Sequence, residues 1–159
     1  MRKVVGVADM AVSEHPEEVL VTYSLGSCIG VAIYDPVVKV GGLLHYMLPD
    51  STMDPEKAKR MPAMFADSGI PSLFKQSYRF GAAKANLIVK VFGGAQILDE
   101  NGVFNIGKRN YLALRKIFWK NNVMIAVEDV GGNVNRTVRL EIGTGRVLLK
   151  VSGATEIDV

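Results

Sequence analysis

The stretch Ile29-Gly30-Val31-Ala32-Ile33-Tyr34-Asp35-Pro36-Val37-Val38-Lys39-Val40-Gly41-Gly42-Leu43-Leu44-His45-Tyr46-Met47-Leu48 decides how this chain folds. Two apolar runs, 29–34 and 40–48, flank Asp35-Pro36-Val37-Val38. Asp and Pro favour turns, because Asp bonds its own backbone and Pro presets φ. The runs therefore read as two strands joined in an antiparallel hairpin. Neither alternates cleanly between apolar and polar, which predicts burial on both faces. A turn centred between Pro36 and Val37 pairs Tyr34 with Lys39, Ala32 with Gly41 and Gly30 with Leu43. Cys28 then faces His45. Opposed residues in an antiparallel pair project to one face with Cβ atoms about 5 Å apart. A one-residue slip would send the two side chains to opposite faces.

Outward from the hairpin, Lys3 to Ala8 and Val19 to Tyr23 also read as strands. Asp54-Pro55-Glu56-Lys57 has an acidic N-cap followed by Pro at the first helical position. Pro62 and Gly69-Ile70-Pro71 predict two or three short helical pieces between 55 and 79 rather than one rod. Asn86 to Phe92 is a further strand ending at Gly93-Gly94. The spacing of Asn110, Ala113, Leu114, Ile117 and Phe118 predicts a helix from Asn105 to Asn121, with Asn105 able to cap it. Val123 to Val130, Arg136 to Ile142 and Arg146 to Val151 read as strands, the last two joined by Gly143-Thr144-Gly145. This order predicts an α+β fold, a mixed β-sheet sandwich or pair of sheets with flanking helices.

Composition narrows the function classes. The 159 residues fit one domain spanning 1–159, 48% hydrophobic and 22% charged, with net charge +3. The basic residues Lys108, Arg109, Arg115, Lys116 and Lys120 fall in one amphipathic helix and read as its solvated face, not as a nucleic-acid stripe. One cysteine excludes an internal disulfide, and one Cys with two His cannot make a usual structural zinc site. No cofactor or metal is expected. The apolar stretch after Met1 stops at Asp9, too short for a signal peptide. No run approaches the roughly 20 apolar residues that span a bilayer. A cytoplasmic protein without membrane insertion is expected.

Cys28, in Ser24-Leu25-Gly26-Ser27-Cys28-Ile29-Gly30, is by itself an ordinary buried thiol. His45 alone reads as a buried imidazole bonded to a carbonyl. Together they make a nucleophile and its base. An isolated thiol is mostly protonated at neutral pH, and an adjacent imidazole takes its proton and later returns one to the leaving group. A third group normally orients the His. Thr22 is a candidate through its hydroxyl or its carbonyl, though it also reads as a plain strand Thr. Backbone amides at Ser27 and Cys28 are candidates for an oxyanion hole. His15, between Glu14 and Pro16, reads as a surface residue. Gly131-Gly132-Asn133 reads equally as a turn or as a pocket wall.

Thr22-x-x-Leu25-Gly26-Ser27-Cys28 followed by Gly41-Gly42-x-x-His45-x-x-Leu48-Pro49 resembles CheD, the chemoreceptor glutamine deamidase family of bacterial chemotaxis. The resemblance continues in Gly93-Gly94-Ala95, Asn105-Ile106-Gly107-x-Arg109-Asn110 and Glu128-Asp129-x-Gly131-Gly132, over residues 3–152. It implies hydrolysis of glutamine side-chain amides on methyl-accepting chemotaxis receptors, giving glutamate and ammonia. It implies Cys28, His45 and Thr22 as the catalytic set, and a fold related to the catalytic domain of cytotoxic necrotizing factor toxins. It also implies a partner, the CheC-type phosphatase that acts on the phosphorylated response regulator. The Cys–His pair by itself also fits a transglutaminase or thiol protease. A binding module regulating receptors or the phosphatase is the alternative of another class.

Overall fold

The computed structural model describes residues 1–96 and 105–159. Ten strands run in chain order as β1 (Arg2–Val4), β2 (Asp9–Ser13), β3 (Val19–Leu25), β4 (Ile29–Asp35), β5 (Val40–Tyr46), β6 (Ile88–Gly93), β7 (Val127–Val130), β8 (Arg136–Glu141), β9 (Val147–Val151) and β10 (Ile157–Asp158). Helices α1 (Pro55–Arg60) and α2 (Ala66–Arg79) lie between β5 and β6, and α3 (Ile106–Lys120) lies between β6 and β7. The strands form two mixed sheets, ordered β1-β3-β8-β9-β10 and β2-β5-β4-β6-β7. One parallel pairing occurs in each, β1 with β3 and β6 with β7.

Three layers result. Ala32, Tyr34 and Leu43 on one face of the second sheet meet Leu20, Val138, Leu140 and Leu149 of the first. Ile29, Val31, Ile33, Leu44 and Tyr46 on its other face meet Ile70, Leu73 and Phe74 of α2 and Leu114 and Phe118 of α3. The second sheet is thus covered on both sides, and every residue of β4 and β5 is buried, as their unbroken apolar runs predict. The outermost sheet alternates instead: Arg136, Val138 and Leu140 of β8 are buried and the residues between them half-buried.

The hairpin register differs from the expectation. Asp35 pairs with Val40 around the four-residue loop Pro36–Lys39, so Gly30, not Cys28, lies opposite His45. The cause is local. The Asp35 carboxylate accepts from Val37 N–H at 2.8 Å, and Lys39, left-handed at φ 57, returns its N–H to the Asp35 carbonyl at 2.8 Å. This turn is one residue later in centre than the one expected. The offset slides the partner strand by two residues, an even number, so His45 keeps its face.

Other boundaries also move. The run from Lys3 to Ala8 is not one strand: it breaks after Val4, turns at Ala8 (φ 60), and crosses to the other sheet as β2, which the sequence reading lacks. Pro71 lies inside α2 rather than ending it. It sits near the N-terminal end, where it forgoes one intrahelical bond. Gly69, two residues earlier, lets the helix approach the 3-10 turn at Pro62–Met64, where an added Cβ would sit 3.2 Å from the Pro62 carbonyl. The strand expected from Val123 begins only at Val127, and β10 is unforeseen. Helix α3 matches its expectation closely, with Gly107, Asn110, Leu114 and Phe118 buried. Asn105 occupies the cap position with φ 50, but its side chain makes no capping bond. All five basic residues named on this helix are exposed. Among the described residues, no helix is long and apolar enough to cross a membrane.

Candidate functional site

Two of the three residues the sequence points to, Thr22 and His45, meet between the sheets, and Cys28 lies just before the strand paired with the one that carries His45. His45 is the penultimate residue of β5, and its side chain enters the layer between the sheets. There its Nδ1 lies 2.7 Å from the hydroxyl of Thr22 on β3. The same hydroxyl lies 2.7 Å from the Val5 carbonyl. A carbonyl only accepts, so the single hydroxyl hydrogen goes to Val5 and the oxygen accepts from Nδ1–H. This fixes the neutral tautomer of His45 with its proton on Nδ1 and its lone pair on Nε2. The contact of Thr22 with His45 is therefore made by its hydroxyl, not its carbonyl. Both residues are buried, Thr22 at 0% and His45 at 1% exposure.

His45 Nε2 is buried and has no hydrogen-bond partner among the described residues. Cys28 immediately precedes β4, is partly exposed, and packs against the same inter-sheet cluster. Because Gly30 is opposite His45, Cys28, two residues before Gly30, is offset diagonally from His45 and does not face it directly. Burial pushes the Cys28 thiol up to about 11, a rise its own backbone N–H partly offsets. Burial pushes the His45 imidazole down to about 4. The pair at rest is therefore a neutral thiol beside a neutral imidazole, not an ion pair.

The segment carrying Cys28 is held from its far side. The carbonyls of Gly26, Ser27 and Cys28 accept, in order, from Ala95 N–H at 2.8 Å, Asn110 Nδ2 at 2.9 Å and Gly94 N–H at 2.9 Å. Among the described residues, no backbone carbonyl accepts from the Ser27 or Cys28 N–H, and the Cys28 N–H lies against its own thiol. Gly93 permits the close approach. Its φ is 108, and a Cβ there would stand 2.2 Å from the Cys28 carbonyl oxygen.

A second tier supports this clamp. The buried Arg136 donates through Nε to Asp129 at 2.8 Å and through a terminal nitrogen to the Gly93 carbonyl at 3.2 Å. Gly131 N–H donates to the same carbonyl at 2.8 Å, and Gln96 N–H donates to Gly132 at 2.9 Å. Gly131-Gly132 is thus a left-handed turn that braces the segment holding Cys28. His15 is exposed, as expected.

Sequence reasoning missed Asn110, Gly93 and Arg136 as parts of the site. A signal existed for the first: Asn110 is a polar residue on the apolar stripe of an amphipathic helix. Arg136 similarly begins an apolar strand. Nothing local marks Gly93 beyond its being a glycine at a strand end.

Fold and site together define an α+β protein of two mixed sheets in which an imidazole and a hydroxyl meet between the sheets and a thiol precedes the neighbouring strand. Residues 47–151 match the family model described as CheD chemotactic sensory transduction. A protein of Syntrophus aciditrophicus named "Probable chemoreceptor glutamine deamidase CheD 1" is 62% identical over 150 residues, 94% of each chain. A Solibacter usitatus protein named "Probable chemoreceptor glutamine deamidase CheD" is 57% identical over 94% of this chain and 89% of its own. A third, from Anaeromyxobacter dehalogenans, is 46% identical over 92% of both. The chain belongs to the CheD family.

Proposed function

We propose that this protein is a protein-glutamine deamidase that hydrolyses side-chain amides of selected glutamines on methyl-accepting chemotaxis receptors. The observation that carries the reading is the buried, unpartnered Nε2 of His45, its tautomer fixed by Thr22, facing the layer where Cys28 lies. An imidazole so held presents its Nε2 lone pair as the acceptor for a proton.

The reaction uses these residues in turn. As Cys28 Sγ attacks the carboxamide carbon, its proton passes to His45 Nε2. Thr22 stabilises the imidazolium through the Nδ1–H bond. The Ser27 and Cys28 amides receive the oxyanion that develops on the carboxamide oxygen. His45 then protonates the departing nitrogen, releasing ammonia and leaving a thioester. Water, deprotonated by the same Nε2, hydrolyses the thioester to glutamate and regenerates the thiol. The neutral resting pair leaves the Nε2 lone pair unprotonated at neutral pH, and the proton moves only as Sγ bonds to the carboxamide carbon. No cofactor or metal enters any step.

The unit is one deamidase domain of the cytotoxic-necrotizing-factor type, working in the cytoplasm, with the receptor's cytoplasmic helices as substrate and a CheC-type phosphatase as partner. Cys28→Ala tests the chemistry. Wild type incubated with a glutamine-containing receptor fragment should release ammonia and convert Gln to Glu by mass spectrometry. The variant should fold and do neither, and undiminished deamidation by Cys28→Ala would end the proposal. One observation favours a second reading, a receptor- or phosphatase-binding module: the Cys28 thiol is held high and unbonded to His45. On that reading wild type itself releases no ammonia while still binding.

A further inference from the structure

Asn110 projects from α3 into the back of the Cys28 segment and is completely buried. Its amide nitrogen has two hydrogens, and both are used. One goes to the Ser27 carbonyl at 2.9 Å and the other to the Met47 carbonyl at 2.8 Å. Both partners are acceptors only, so the NH2 group must face them. Its Oδ1 is then left buried without a donor among the described residues. The Asn110 backbone carbonyl separately accepts from the Tyr46 hydroxyl at 2.6 Å.

The consequence follows from peptide geometry. Among the described residues, no peptide bond is cis. In a trans peptide the C=O of one residue and the N–H of the next point in opposite directions. Aiming the Ser27 carbonyl at Asn110 therefore aims the Cys28 N–H away from α3. The Gly26 carbonyl, fixed by Ala95, orients the Ser27 N–H in the same manner. Of the three clamps on this segment, Asn110 is the one made by a side chain. Its second bond reaches Met47, two residues beyond His45, and so links the Cys28 segment to the end of β5.

We propose that Asn110 is a positioning residue for the attack step: it orients the Cys28 N–H as an oxyanion donor and sets the Cys28 segment against the strand end bearing His45. This rests on the reading of Cys28 as nucleophile.

The test compares wild type, Asn110→Leu and Tyr46→Phe in three measurements: kcat and KM on a glutamine-containing chemoreceptor fragment, the rate of Cys28 alkylation by iodoacetamide, and thermal denaturation. Asn110→Leu keeps the branching and the number of side-chain heavy atoms and removes both donors. Tyr46→Phe loosens the same helix contact but leaves both donors in place. For Asn110→Leu, kcat should fall about 100-fold, the size expected for loss of one oxyanion donor. KM and the alkylation rate should stay near wild type, because alkylation builds no oxyanion. Tyr46→Phe should lower the Tm and keep kcat. Wild-type kcat in Asn110→Leu overturns the inference. So does a fall matched by Tyr46→Phe at equal Tm, or an alkylation rate that falls as far as kcat. If Asn110→Leu does not fold, Asn110→Ser, too short to span both carbonyls, is read in the same way. Deamidation that survives Cys28→Ala ends the nucleophile reading. A dead Cys28→Ala beside a fully active Asn110→Leu ends only the role of Asn110.

Discussion

At the scale of single residues, burial sets the charge state of the site. His45 has a folded-state pKa of about 4, below its ordinary 6.5. Between those values the unfolded chain binds the proton and the folded one does not, so stability is lost as pH falls from 6.5 toward 4. Urea denaturation across that range should show the loss, and His45→Gln should reduce its slope. Cys28 behaves in the opposite sense. Its pKa is raised from 9.0 to about 11, so its contribution is full below 9 and lost as pH rises through 11. Alkylation of the free protein by iodoacetamide should therefore accelerate with a midpoint well above the ordinary thiol value of about 8.5. A midpoint below 7 would mean a resting ion pair instead. Thr22→Val removes the acceptor of Nδ1–H and strands the Val5 carbonyl. It should cost about 1–3 kcal/mol of stability. It should also lower kcat about 100-fold, the low end of what a positioned general base contributes.

At the scale of elements, the site depends on where one strand end meets another. Gly93 closes β6 against the start of β4 with φ 108, a conformation an L side chain rarely adopts. Gly93→Ala should lower stability by at least about 2 kcal/mol, from backbone strain and the collision with the Cys28 carbonyl, and thermal denaturation checks it. Deamidase activity should fall further than the folded fraction does, because the collision lies at the nucleophile's own peptide. The same scale shows what patterns could and could not convey. Helix α3 was legible because its apolar stripe matches the helical period over four turns. Strand β2 was not: Asp9-Met10-Ala11-Val12-Ser13 has one β-branched apolar residue and becomes a strand because β5 offers it an edge. Pro71 was expected to interrupt a helix, yet packing of Ile70, Leu73 and Phe74 against the sheet outweighs one missing bond.

Across the whole molecule, the two sheets are held by contacts that sequence separation hides. The Tyr34 hydroxyl on β4 donates to the Ile142 carbonyl, just past β8, at 2.7 Å. Gly145, left-handed at φ 77, lies flat on the Tyr34 ring, where a Cβ would come within 2.4 Å. Tyr34→Phe should cost about 1 kcal/mol in urea denaturation. It should leave kcat unchanged, since Tyr34 lies at the opposite end of β4 from Cys28.

By itself the sequence determined the α+β class, the hairpin of β4 and β5, and helix α3, and it pointed to Cys28 and His45 as the candidate pair. These are written in local composition, period and motif. It also determined that Cys28 and His45 share a face, since the actual register is an even slip from the expected one. Only the tertiary structure decided that the Thr22 hydroxyl meets His45 and that burial favours the neutral thiol and the neutral imidazole. It alone decided that Asn110, 83 residues from Ser27, orients the Cys28 peptide. The reason is physical. A hydrogen bond between distant segments depends on how sheets and helices stack, and burial depends on everything that covers a group, so neither is encoded in the neighbours along the chain.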